Sequence, residues 1–215
     1  MIPGHRYSWP RSVDGLVGVP VNAKSRTPQR RLQRLLRSSG AAGTKARLPV
    51  GRVLAERLGY TADMLDTMPA VAVEAFAGVS NLAVSVPIPA GARVLDLGCG
   101  AGLDSLILAR RVASTGHVVG IDFSEAMLAR ARQGAIAAGL DVTFCRGDAE
   151  ALPLDAASVD VAVVNGIFNL NPARAEIFRE LARVVRSDGH VYSAELVLRE
   201  AVSKPDHFTE AEWFA

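Results

Sequence analysis

The sequence predicts an α/β fold, a doubly wound and mostly parallel sheet. Two observations carry that expectation. From residue 92 onward, short apolar runs alternate with helical patterns, the arrangement of parallel strands joined by crossover helices. The first run, Val94-Leu95-Asp96-Leu97, ends in the turn Gly98-Cys99-Gly100-Ala101-Gly102 and then opens into a helix. Such a turn needs the positive φ that glycine tolerates, and without Cβ atoms it lets backbone approach a nucleotide-like ligand closely.

The elements follow in order. Val53, Leu54, Leu58, Met64 and Leu65 suggest short helices, with Thr61 or Asp63 as caps. A strand near 92–97 leads to a helix at 103–113, then a strand at 117–121, a helix at 124–138 and a strand at 141–145. A strand near 159–164, a helix near 172–186 and a strand near 190–197 complete the pattern. Ser124 is placed to open the second helix and Asn171 with Pro172 the last one, while Gly139 and Gly189 are placed beyond helix ends. Ligands of such sheets bind outside the carboxyl ends of the strands, at the topological switch point. The acidic and glycine residues singled out below lie there.

Composition sets bounds on the reading. The 215 residues are 49% hydrophobic, enough for a packed core, and no run approaches the roughly 18 apolar residues of a membrane span. No apolar stretch reads as a secretory signal, so a cytoplasmic protein without membrane contact is expected. Two cysteines, Cys99 and Cys145, supply neither a disulfide framework nor a C-x-x-C zinc site, and no metal is expected. Charge is unevenly spread: residues 1–57 hold 12 Lys/Arg against 2 Asp/Glu, and the remainder holds 12 against 20. The expected organisation is a basic, disordered tail over 1–47, a helical cap over 48–90 and the sheet domain over 91–215. Other readings of the tail are a phosphate-binding arm or a transit peptide. It lacks aromatic interleaving, so a nucleic-acid partner is not expected.

The glycine spacing is G-x-G-x-G, not the G-x-G-x-x-G of dinucleotide-binding enzymes. Asp96, just before the turn, suits a cationic ligand better than a pyrophosphate. Asp122 ends the next apolar run, 26 residues on, where a carboxylate can accept ribose hydroxyls. Asp122 could equally support the N-terminus of the following helix. Phe123 and Met127 are placed either to pack an adenine or to join the core. On these residues the chain resembles the class I S-adenosylmethionine-dependent methyltransferases, with their Rossmann-like sheet.

That resemblance implies S-adenosylmethionine as cofactor. It implies that Asp96, Gly98, Cys99 and Gly100 hold the amino-acid end and Asp122 the ribose. In Phe144-Cys145-Arg146-Gly147-Asp148-Ala149 it implies that Asp148 meets the adenine amino group and Ala149 its ring, with Gly147 beside them. Asn165, Gly166 and Ile167 would lie over the methyl-transfer site, and Tyr60 and Asn169 are candidates for the acceptor side. No general base is identified.

The resemblance extends from about Leu58 to Glu200. Leu58-Gly59-Tyr60, Phe76-Ala77-Gly78-Val79-Ser80-Asn81, Leu95 to Ser105 and Asn165 to Pro172 are similar to the arsenite methyltransferase-like branch. The arsenic enzymes of that branch hold the metalloid through thiolates, and here Val79 and Gly166 stand at two of the thiolate positions. The expected acceptor is therefore a small molecule other than arsenite. The branch normally adds two more strands after the fifth, which this chain is expected to lack. An open fifth-strand edge is a pairing template, and a homodimer through it is a candidate arrangement. Two rivals remain: a non-catalytic binding protein that keeps the cofactor fold, and an NAD(P)-dependent oxidoreductase.

Overall fold

The computed structural model describes residues 50–196; the expected basic tail over 1–47 and the chain beyond 196 lie outside the described residues. Among the described residues four short helices come first: α1 (Arg52–Arg57), α2 (Ala62–Asp66), α3 (Ala70–Val73) and α4 (Leu82–Ser85). There follow β1 (Arg93–Leu97), α5 (Leu103–Val112), β2 (His117–Asp122), α6 (Glu125–Ala138), β3 (Thr143–Arg146), β4 (Val159–Asn165), a 3-10 turn (Phe168–Leu170), α7 (Arg174–Val184) and β5 (Val185–Ala194). The sheet order is β3-β2-β1-β4-β5, and every pairing is parallel. The chain leaves β1 toward β2 on one side and returns to β4 on the other. The crevice thus opens at the carboxyl ends of β1 and β4.

Alternation along the strands sorts the core into two layers. Val94 of β1 and Val161 and Val163 of β4 face one side, where they pack with Tyr60, Leu65 and Phe76 from the chain before β1, Leu106 of α5 and Leu128 of α6. Leu95 and Leu97, Ala162 and Val164 face the other side, against Ile177, Leu181 and Val184 of α7. The helices of residues 52–85 therefore share a core with the sheet.

Local chemistry fixes the ends. Thr61, not Asp63, caps α2, its Oγ1 accepting from Met64 N at 3.2 Å. Gly139 closes α6 in the left-handed region with φ 62°. Ser124 is the N-cap of α6, but its hydroxyl makes no cap bond; Asp122 Oδ1 instead accepts from Ser124 N at 2.8 Å.

Three expectations need correction at the last helix and strand. The helix begins at Arg174, because Asn171 Oδ1 accepts from Ala173 N at 2.8 Å and holds residues 171–173 in a turn. It ends at Val184 and runs straight into β5, five residues before the expected start of the strand. Gly189 is thus inside β5, not beyond a helix end. A Cβ there would come within 2.7 Å of the Asp160 carbonyl oxygen, so glycine permits close passage of β5 where the β4–β5 register shifts between Val159 and Val161.

Candidate functional site

The site grows from the end of β1. Gly98 N and Cys99 N donate to Ile121 O at 2.8 and 3.1 Å, which ties the glycine turn to β2. Gly98 (φ 77°) and Gly102 (φ 86°) supply the left-handed backbone that turns the strand into α5. A Cβ on Gly98 would run into Ile167, whose side chain therefore lies over the turn, while a Cβ on Gly100 would meet nothing within 4 Å. The turn offers open space at Gly100, bounded by Ile167 at Gly98.

Asp122 is the hub of the next layer. Its Oδ2 accepts from Gly100 N at 2.9 Å, its Oδ1 from Ser124 N at 2.8 Å, and its carbonyl from Gly147 N at 3.1 Å. One residue thus joins the ends of β1, β2 and β3. Beyond Gly147, Asp148 is buried and its Oδ1 accepts from Glu150 N at 3.2 Å; Ala149 packs, half-buried, against the α7-side core. Phe123 and Met127 flank the hub at the start of α6, both half-buried. Cys99 is buried, and a Cβ on Gly120 would meet its sulfur at 3.0 Å. The Cys99 side chain therefore packs on β2, leaving only its backbone to the turn. Burial pushes its thiol well above the usual range.

Electrostatics separates this end of the sheet from the rest. Asp96, Asp104 and Asp122 are 2%, 6% and 8% exposed, and none of the ion pairs among the described residues includes them. Burial pushes all three carboxyls up. Asp96 is pushed to about 8, by burial first and by the charge of Asp104 second, against the opposing hydrogen bond from Ser105 Oγ at 2.5 Å. Three carboxylates gathered away from water without a cation are costly unless a positive ligand completes them.

Asp104, Ser105 and Ser80 belong to this arrangement although sequence reasoning gave them no role. The available signal was a polar pair, Asp104-Ser105, on the buried face of α5 between Leu103 and Leu106. Tyr60 is 2% exposed and its hydroxyl donates to Asp104 Oδ1 at 2.5 Å. Burial raises that phenol, and the group faces the carboxylate and not open space. Asn165 accepts at Oδ1 from Val79 N (2.9 Å) and Ser80 N (3.1 Å) and donates from Nδ2 to Ser80 O (2.8 Å) and Asp104 Oδ2 (2.9 Å). Its amide has no capacity left for a ligand. Asn169 sits in the 3-10 turn, where its side chain donates to the Leu196 carbonyl and its N to Glu195 Oε2 at 3.3 Å.

Comparison with known proteins agrees with this geometry. Residues 88–213 match the family model described as a methyltransferase domain. An arsenite methyltransferase from Halobacterium salinarum is 34% identical over 143 residues, spanning 66% of this chain and 36% of the relative. A 2-phytyl-1,4-naphtoquinone methyltransferase from Synechococcus elongatus is 41% identical over 101 residues, spanning 45% of this chain and 42% of the relative. The solved structure of an arsenic(III) S-adenosylmethionine methyltransferase from Chlamydomonas reinhardtii superposes with a TM-score of 0.50 at 30% identity, over 68% of this chain and 49% of that one. The chain thus spans between about a third and a half of the length of these relatives. With the glycine turn, the acidic strand ends and the parallel sheet in place, the chain belongs to the methyltransferase domain family.

Proposed function

We propose that this chain binds S-adenosylmethionine at the carboxyl end of β1 and β2 and transfers its methyl group to a small organic acceptor. One observation carries the reading: Asp96, Asp104 and Asp122 are buried together with no described cation beside them, next to open space over Gly100. A ligand with an ammonium and a sulfonium group fits that deficit. When bound, it supplies an already activated methyl carbon.

The protein's part is to bind, orient and exclude water. Asp96, with the backbone of Gly98, Cys99 and Gly100, faces the cationic amino-acid end. Asp122 accepts from the backbone N–H groups of Gly100, Phe123 and Ser124 and keeps lone-pair capacity to accept a ribose hydroxyl. Gly147, Asp148 and Ala149 carry the base, with Phe123 and Met127 against its ring. Ile167, over the turn, limits the space from the β4 side. Holding an acceptor in line with an activated carbon can supply roughly 7–11 kcal/mol of the barrier.

The acceptor assigned here is organic. Val79 and Gly166 lie against each other, with a Cβ on Gly166 falling 3.1 Å from Val79 Cγ1, so that wall presents no sulfur. The two cysteines are buried, with their thiols pushed up, Cys145 to about 11. A thiophilic metalloid finds no ready thiolate among the described residues. The family match gives nicotinamide chemistry no support. Pairing of two copies along the outer edge of β5 belongs to the same proposal.

The test is a calorimetric titration of the chain with S-adenosylmethionine beside an Asp122→Ala variant. Binding that weakens about 10- to 100-fold in the variant, the worth of hydrogen bonds to a charged group, supports the site. A folded chain that takes up no S-adenosylmethionine overturns the reading and returns the protein to a non-catalytic role.

A further inference from the structure

The segment Ala77–Ser80 lies against the carboxyl end of β4 without helix or strand of its own. Asn165 and Tyr60, both far away in sequence, supply its side-chain hydrogen bonds. Val79 N and Ser80 N donate to Asn165 Oδ1, and Ser80 O accepts from Asn165 Nδ2, with the Tyr60 hydroxyl at 3.3 Å. The fourth capacity of Asn165 reaches Asp104 Oδ2, and Asp104 Oδ1 takes the Tyr60 hydroxyl. Packing repeats the message. A Cβ on Gly78 would fall 2.5 Å from Asn165 Nδ2 and 2.8 Å from Phe76 Cζ, so only glycine lets the segment lie this close. Beyond the segment, α4 begins at Leu82 and Asn81 O accepts from Val84 N.

We propose that Asn165 is a positioning residue: its amide seats Ala77–Ser80 against the end of β4 and so fixes the acceptor-side wall, without touching the cofactor. The assignment of that wall rests on the methyltransferase reading above; the brace itself does not. The amide is required in both senses, as acceptor for two backbone N–H groups and as donor to a carbonyl and a carboxylate. Aspartate keeps the first role. It recovers one donor only when protonated, and when ionised it faces Asp104 as a like charge.

The experiment measures hydrogen-exchange protection factors for Val79 and Ser80, beside calorimetry with S-adenosylhomocysteine, in the full chain and in Asn165→Ala and Asn165→Asp. Loss of the amide is expected to lower protection about tenfold, as local opening replaces the lost hydrogen bonds. Asn165→Asp should show that loss at about pH 8 and recover toward the parent value at about pH 5, whereas Asn165→Ala should be loose at both. A side chain that merely fills space would give no such recovery. Unchanged protection in both variants overturns the proposal, as does identical behaviour of the two at every pH. So does a drop of more than tenfold in S-adenosylhomocysteine affinity with protection intact, which would make Asn165 a cofactor ligand. Failure of the parent chain to bind S-adenosylhomocysteine overturns the methyltransferase reading, while the exchange data still decide the brace. If Asn165→Ala does not fold, Tyr60→Phe replaces it, with a loss of protection at Ser80 expected and its absence counting against the network.

Discussion

The two ends of the sheet treat a buried carboxylate in opposite ways. At the amino end of β4, Asp160 has a side chain only 13% exposed and is surrounded by donors: Arg93 N at 2.6 Å, the Arg93 guanidinium at 3.4 Å and Arg186 at 2.8 Å. At the carboxyl ends of β1 and β2, Asp96, Asp104 and Asp122 are at least as buried but receive only neutral donors: Ser105, Tyr60, Asn165 and backbone N–H groups. The first end is complete within the chain. The second holds a charge deficit that a positive ligand would relieve, and this electrostatic difference is what marks the carboxyl end as the candidate site.

The largest expected consequence is the pH dependence of stability without ligand. The folded-state pKa values of Asp96, Asp104 and Asp122 are raised above the unfolded ones, so the folded chain holds more protons through the interval between. Stability is then highest below about pH 4 for this set and is lost as pH rises toward the raised value of Asp96, about 8. Between about pH 5 and pH 8 the loss should amount to a few kcal/mol, or roughly 10 °C in Tm. Thermal melts across that range check it. A Tm that rises toward pH 8 would mean that this end of the sheet is compensated after all.

At the other end the effect is smaller and of opposite kind. Asp160→Ala removes one ion-pair partner each from Arg93 and from Arg186, which keeps Asp188 at 2.9 Å, and removes the acceptor of Arg93 N, and should cost about 2 kcal/mol in chemical denaturation at neutral pH. The discount from a fully buried pair reflects the 33% and 44% exposure of the two arginine side chains. A change below about 0.5 kcal/mol would show that solvent already screens the cluster and would remove one side of the contrast.

How much of this was legible in the sequence follows from distance along the chain. The places of the glycine turn, Asp96 and Asp122 were legible because each sits at a strand end marked by its neighbours, and the turn is tied to β2 by backbone bonds to Ile121 O and by Gly100 N to the Asp122 carboxylate. The brace was not legible. Tyr60 and Asn165 meet at Asp104 from 44 and 61 positions away, and nothing local tells an asparagine saturated by backbone from one awaiting a ligand. Asn165 therefore read as a binding residue and Tyr60 as an acceptor-side group, while Asp104 and Ser105 received no role. The same limit explains Gly189. Beside a helix pattern it reads as a stop signal, and only the β4–β5 register shows that it makes room for the Asp160 carbonyl.

Asp96→Asn probes the contrast where the two demands on one residue conflict. The amide keeps an oxygen for Ser105 Oγ, so the local hydrogen bond survives the change. It removes from a dry site the carboxyl on which the charges of Asp104 and Asp122 both act. At about pH 8 the ligand-free variant should be more stable than the parent by about 1 kcal/mol, with a flatter pH profile, because replacing an uncompensated buried charge by a neutral isostere often stabilises. Its affinity for a cationic cofactor should fall at the same time, and parallel melts and titrations read both. Stability and affinity that fall together would make Asp96 an ordinary structural acceptor like Asp160. Stability that rises as affinity falls would show that the carboxylate is kept at this end for its ligand, against the interest of the fold.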